Sequence, residues 1–223
     1  YSTGVVQWML NSAWPSMIWQ LYDYYLKPVG AYFGTKAANR PVQGVYRYDD
    51  ARITVVNSLL QAKDLTVVSE ILDTTGSIIW EDESEITVDS NDILEVAQVP
   101  QGLSLPGAYF LKIEILDSNG NQIDRNVYWL STTPEELVTG DAVWEFWFYT
   151  PVQQYADFTS LSQLPEATLD VEWNIQSGSE GDFADLTVTN TGSNVAFFVD
   201  ISLVDNATDM EILPTVKTDD FIT

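Results

Sequence analysis

"AYFLKIEIL", residues 108–116, decides the fold class. Leu111, Ile113 and Ile115 alternate with Lys112 and Glu114, so one side of the segment is apolar and the other charged, which is the period of a strand that lies on a core and faces water. Similar runs flank it at 52–56, 65–72, 77–80, 85–88, 93–99 and 126–130, and turn signals such as Asp73-Thr74-Thr75-Gly76 and Asp117-Ser118-Asn119-Gly120 separate them. Roughly seven short strands in about 90 residues are the pattern of an immunoglobulin-like β-sandwich.

Downstream, residues 132–165 lose the alternation and gain aromatics: Trp144, Phe146, Trp147, Phe148, Tyr149, Tyr155 and Phe158. Packing between domains is the expected role of this stretch. Strand patterns then resume at 169–175, 184–189 and 196–203, with a turn at Thr191-Gly192-Ser193-Asn194. This predicts a second sandwich of about four or five strands, fewer than such a domain normally needs.

Upstream the reading changes. Residues 4–10, "GVVQWML", have the continuous apolar character of a strand buried on both faces, as in a parallel barrel. After Pro15, the residues Ile18, Leu21, Tyr22 and Tyr25 fall at helical spacing and make one apolar stripe, which predicts a helix that Lys27-Pro28 ends. A second helical stretch is expected over 31–39. One strand and two helices cannot close a core, so this unit is expected to complete something larger and to start from a cut or processed end. The expected divisions are 1–40, 41–131, 132–166 and 167–223.

Charge marks the first of these boundaries. Residues 1–40 hold Lys27, Lys36 and Arg40 against Asp23 alone, a net of +2, whereas the whole chain of 223 residues has 33 acidic and 9 basic side chains and a net charge of -24. Such acidity repels phosphate backbones and anionic membranes, so neither nucleic acid nor membrane is an expected partner. Cysteine and histidine are both absent, which removes disulfides, thiolate and imidazole catalysis and the usual zinc sites. No metal or other cofactor is expected. No apolar run approaches the about 20 residues of a spanning helix. Asn206-Ala207-Thr208 is a formal glycosylation sequon, compatible with a secreted protein.

Four long segments carry a family resemblance: "GVVQWMLNSAWPSMIWQLYDYYLKPVGAYFGTKAANRPVQ" (4–43), "NVYWLSTTPEEL" (126–137), "YTPVQQYADFTSLSQLP" (149–165) and "ILPTVKTDDFIT" (212–223). The first resembles the eighth strand and final helices of the catalytic barrel of glycoside hydrolase family 2, in its exo-β-D-glucosaminidase branch, with β-mannosidases next. The others resemble that branch's segments between and within two C-terminal sandwich domains. The resemblance implies a mainly β chain: the end of a (β/α)8 barrel followed by two immunoglobulin-like sandwiches, the second incomplete. It also implies a retaining exo-β-glycosidase acting on glucosamine-containing or mannose-containing oligosaccharides, with the remaining N-terminal part of the same enzyme as partner.

Retaining glycosidases use two carboxyl groups, one as acid/base and one as nucleophile, and in this family both are glutamates on earlier barrel strands. Residues 1–40 contain no glutamate; the first in the chain is Glu70. No catalytic residue is therefore assigned to this chain, and Asp23 is expected to be structural or solvated. Barrel active sites lie at the C-terminal ends of strands, here residues 11–14. By position and resemblance Trp14 stacks on the substrate pyranose and Asn11 bonds a ring substituent; the competing reading has Trp14 as packing at the barrel mouth. Trp8 is expected in a core, and Trp19 is expected to be structural.

The acidity has two readings, solubility or attraction of a cationic glucosamine polymer. Two other function classes fit the sandwiches, a noncatalytic carbohydrate-binding module and an adhesion protein of immunoglobulin-like repeats. Neither accounts for residues 4–39.

Overall fold

Strand β6 (Ala108–Asp117) forms where the alternation requires it, and it is the middle of the core. The computed structural model describes residues 4–17, 19–140, 150–179, 181–220 and 222–223. On one edge β6 pairs antiparallel with β3 (Lys63–Leu72), placing Val67 opposite Ile115, Ser69 opposite Ile113 and Ile71 opposite Leu111. On its other edge lies β7 (Gln122–Ser131), and β4 (Ile78–Val88) closes the sheet beyond β3, giving the order β4-β3-β6-β7. A second sheet holds β1 (Val42–Arg47), β2 (Arg52–Asn57) and β5 (Asp92–Gln98) in the order β1-β2-β5.

The apolar faces of the two sheets meet. Leu65, Val67, Ile71, Leu111, Ile113 and Ile115 from one pack with Val42, Ile53 and Val55 from the other, and all are buried. Burial of this kind stabilises by about 25 cal/mol for each Å² of apolar surface removed from water. The result is mainly β with immunoglobulin-like character.

Strand β1 escaped the sequence reading because Gly44 and Pro41 look like turn residues. Gly44 has another purpose: a Cβ there would lie 2.6 Å from Ile113 Cγ2, so the two sheets approach too closely for any other residue. Its N–H donates to the buried Asp124 carboxylate of β7 at 2.8 Å, which ties the two sheets together. The expected strands 77–80 and 85–88 are one strand. The intervening Glu81, Asp82, Glu83 and Ser84 read as a loop, yet in this edge strand Glu81 and Glu83 lie on the exposed face and guard it against pairing with other chains, while Asp82 and Ser84 are half-buried on the other.

The two Asp-led turns share one design. Asp73 Oδ1 accepts from the N–H groups of Thr75 and Ser77 at 2.8 and 3.0 Å, and Asp117 Oδ1 accepts from those of Asn119 and Asn121 at 2.8 and 2.9 Å. Gly76 and Gly120 supply the positive φ that each turn needs, +85° and +81°.

After the sandwich come a short pair, β8 (Glu136–Leu137) with β9 (Val152–Gln154), and a 3-10 helix over Thr159–Gln163. The hairpin of β10 (Leu169–Gly178) and β11 (Gly181–Asn190) follows. Trp144, Phe146, Trp147, Phe148 and Tyr149 lie outside the described residues. Residues 41–196 make one compact unit, and residues 1–40 with 197–223 make another.

In the second unit three expectations are corrected. Residues 4–9 join no sheet among the described residues and are largely exposed, because an extended segment becomes a strand only where neighbours take up its backbone groups. Residues 19–28 form no helix. Nucleating one is costly unless its apolar stripe is covered, and here Tyr25 is exposed while a turn at Leu26, with φ +66°, reverses the chain; Ile18 lies outside the described residues. Strand character expected over 196–203 begins only at β12 (Leu203–Asp205), which pairs with β13 (Met210–Ile212). The second helix is found, as α1 (Gly30–Ala37).

Two outcomes follow. Gly44→Ala should lower unfolding stability by about 1 to 3 kcal/mol, the scale of overpacking a tight core, measured by urea denaturation; an unchanged midpoint would mean that the sheets separate freely. Hydrogen bonds from the Thr75 and Asn121 side chains, with the turn N–H groups, hold the Asp73 and Asp117 carboxyls below their usual 3.8. A carboxyl depressed in the folded state contributes stability that is complete above its unfolded value and is lost as pH falls through the folded one. Asp73→Asn with Asp117→Asn should therefore flatten the stability loss below pH 3.8, read as denaturation midpoints against pH.

Candidate functional site

Residues 7–17 and 19–29 fold back on one another as loop limbs rather than as strand and helix. The Leu10 carbonyl accepts from the N–H groups of Leu21 and Tyr22 at 3.1 and 2.9 Å, and Asn11 and Tyr22 form an isolated parallel bridge. Gln7 Nε2 donates to the Trp19 carbonyl at 2.9 Å, drawing the two limbs together. Ser12 and Gln20 are both buried. Ser16 Oγ donates to Ser12 Oγ at 3.2 Å and Gln20 Nε2 donates to the Ser16 carbonyl at 2.7 Å. These buried polar groups fix the loop from within, since each would cost about 1 to 3 kcal/mol if left without a partner.

Trp14 stands in the bend that this scaffold presents, 68% exposed, and Asn11 is exposed at its base. The structure thus brings the two expected sugar contacts onto one loop, three residues apart. Trp8, expected in a core, is 70% exposed within this chain, and Trp19 is exposed as well. Val5, Val6, Leu10 and Met17 add to the apolar surface of this segment.

Asp23 holds the turn: its Oδ1 accepts the Lys27 N–H at 2.9 Å. Lys27 in turn reaches the segment 197–223, with Nζ 2.8 Å from Glu211 Oε1 and 3.8 Å from Asp200 Oδ2. The hydrogen bond to Glu211 is the largest cause raising its pKa above the usual lysine value. Sequence reasoning missed Ser12, Gln20 and this ion pair. Ser12, Ser16 and Gln20 carry no local signal that they bond one another, and the partners of Lys27 lie far along the chain. Among the described residues no three His, Cys, Asp or Glu side chains cluster as metal ligands do.

Comparison with known proteins gives a consistent result. Residues 147–223 match the exo-β-D-glucosaminidase Ig-fold domain family, and residues 49–133 match the mannosidase Ig/CBM-like domain family. An exo-β-D-glucosaminidase of Arthroderma benhamiae is 32% identical over 227 residues, covering 100% of this chain and 25% of the relative. That of Streptomyces avermitilis is 36% identical over 212 residues, 92% of this chain and 23% of the relative. β-Mannosidase B of Aspergillus niger matches a shorter stretch, 37% over 71 residues, 30% of this chain and 8% of that one. Among solved structures, a complex of the Amycolatopsis orientalis exo-chitosanase CsxA with PNP-β-D-glucosamine superimposes with a TM-score of 0.84 at 34% identity, covering 96% of this chain and 25% of the other. The chain spans about a quarter of the length of the relatives that it matches throughout.

Trp14 separates a binding role from a packing role. If the indole contacts sugar in the full-length protein, Trp14→Ala should cut kcat/KM by about tenfold or more with little change in Tm. A large fall in Tm with unchanged kinetics would make Trp14 a packing residue.

Proposed function

Because this chain carries the Ig-fold domains of exo-β-D-glucosaminidases, we propose that it is the C-terminal portion of a secreted, retaining exo-β-glycosidase that releases glucosamine from chitosan oligosaccharides. Its share of the work is to complete the catalytic (β/α)8 barrel with residues 1–40, to pack the sandwich domains beside it, and to present Trp14 and Asn11 to the sugar. The observation that carries this reading is the similarity of the chain, over at least 92% of its length, to enzymes named for exo-β-D-glucosaminidase activity. The exposed Val5, Val6, Trp8 and Leu10 support it too, since neighbouring barrel strands would cover their side chains.

The chemistry needs two carboxyl groups flanking the glycosidic bond, about 5 to 5.5 Å apart in a retaining enzyme. The chain's first glutamate is Glu70, in the sandwich strand β3, and Asp23 is engaged by the Lys27 N–H. Both carboxyl roles therefore fall to the rest of the enzyme. What this chain's loop can supply is an apolar ring face against which a pyranose stacks, and an amide that both donates to and accepts from sugar hydroxyls. Asn206, in the sequon, is exposed in the turn between β12 and β13, as a glycan on a secreted protein would require. A β-mannosidase of the same family is the second reading, favoured by the mannosidase Ig/CBM-like match of residues 49–133.

Residues 1–223 alone should release no nitrophenol from p-nitrophenyl β-D-glucosaminide. The complete enzyme should do so and should prefer the glucosaminide to the mannoside. Turnover by the isolated chain, abolished by a point change within it, would overturn the division of labour. A preference for the mannoside would select the second reading.

A further inference from the structure

We propose that Lys27 and Glu211 are a positioning pair, through which the segment 197–223 holds the loop that bears Asn11 and Trp14; the inference rests on the sugar-contact reading of that loop. Its first support is a continuous chain of contacts inside one compact unit. Asn11 bridges Tyr22, Tyr22 bridges Pro28, and the residue before Pro28 is Lys27, whose Nζ lies 2.8 Å from Glu211 Oε1. The Val29 N–H also donates to the Leu21 carbonyl at 3.1 Å, so the limb leading from Lys27 back to the loop is fixed on both sides.

Its second support is that the acceptor side is itself anchored. Asp200, 3.8 Å from Lys27, also lies 3.9 Å from Lys217 Nζ. Lys217 donates to the Asp220 carboxylate and to the Ile201 carbonyl, and its Nζ is 6.0 Å from the centre of the Phe33 ring of α1. Asp220 is 3% exposed and accepts the Ile201 N–H at 2.7 Å, so its charge is fully engaged. Lys36 of α1 donates to the Thr218 carbonyl at 2.5 Å. Two of the three bases in the basic residues 1–40 thus reach the segment 197–223, which holds six acids and one base. Opposite net charge draws the two segments together, and the Lys27 pair sets where the loop sits.

The pair touches no reacting atom in this account, so its effect is expected on sugar binding. In the complete enzyme, Lys27→Glu should raise KM for p-nitrophenyl β-D-glucosaminide by roughly tenfold, with kcat changed much less. Lys27→Arg should stay near the parent value, and the exchanged pair Lys27→Glu with Glu211→Lys should recover most of the loss. Amide exchange over residues 10–29 reads the anchoring apart from catalysis: faster in Lys27→Glu, restored in the exchanged pair, and unchanged over residues 63–131. Unaltered exchange in Lys27→Glu overturns the positioning pair whatever the kinetics. Faster exchange with an unaltered KM overturns the sugar-contact reading, and the positioning role with it. A folded exchanged pair that recovers neither exchange nor KM contradicts the electrostatic basis.

Discussion

Every extended backbone must hand its N–H and C=O groups to a neighbour, and this constraint sorts the chain into parts that close on themselves and a part that does not. The segment 42–131 satisfies it internally: β6 has β3 on one edge and β7 on the other, and the second sheet covers their apolar side. Residues 5–9 join no sheet among the described residues, and most of them are exposed. The same logic explains how the loop that follows survives as an ordered feature. It replaces strand pairing with a few bonds from Leu10, Ser12 and Gln20, and with an ion pair at its far end.

The β-sandwich was legible in the sequence because period two is a local signal. Leu111, Ile113 and Ile115 announce their face without reference to anything else, and the Asp-led turns state their own boundaries. What could not be read were features set by distant residues. Gly44 is a glycine because of Ile113, 69 positions away, and without that knowledge it resembles a turn. The charged run through β4 is tolerable only because the strand is at an edge. The helix expected after Pro15 failed for a related reason: spacing shows which residues would share a face, not whether anything covers that face.

The same distinction applies to the candidate site. That Trp14 and Asn11 occupy one loop was expected from their nearness in sequence. That the loop is held by Ser12 and Gln20 from within, and by Glu211 and Asp200 from outside, was not. A chain of net charge -24 offers a lysine many acidic partners, and only the fold selects between them. The acidity also has a plain physical use in the sandwich, where Glu81, Glu83 and Glu85 line the exposed face of the edge strand β4.

The proposed function depends most on residues 4–10, which form no strand within this chain, gaining strand partners from the rest of the enzyme. Amide hydrogen exchange over those residues, compared between the isolated chain and the complete enzyme, tests this directly. In the isolated chain they should exchange at nearly the rate of unstructured peptide, and in the complete enzyme they should be among the slowest amides. Slow exchange in a demonstrated monomer of residues 1–223, or fast exchange in the complete enzyme, would contradict the account.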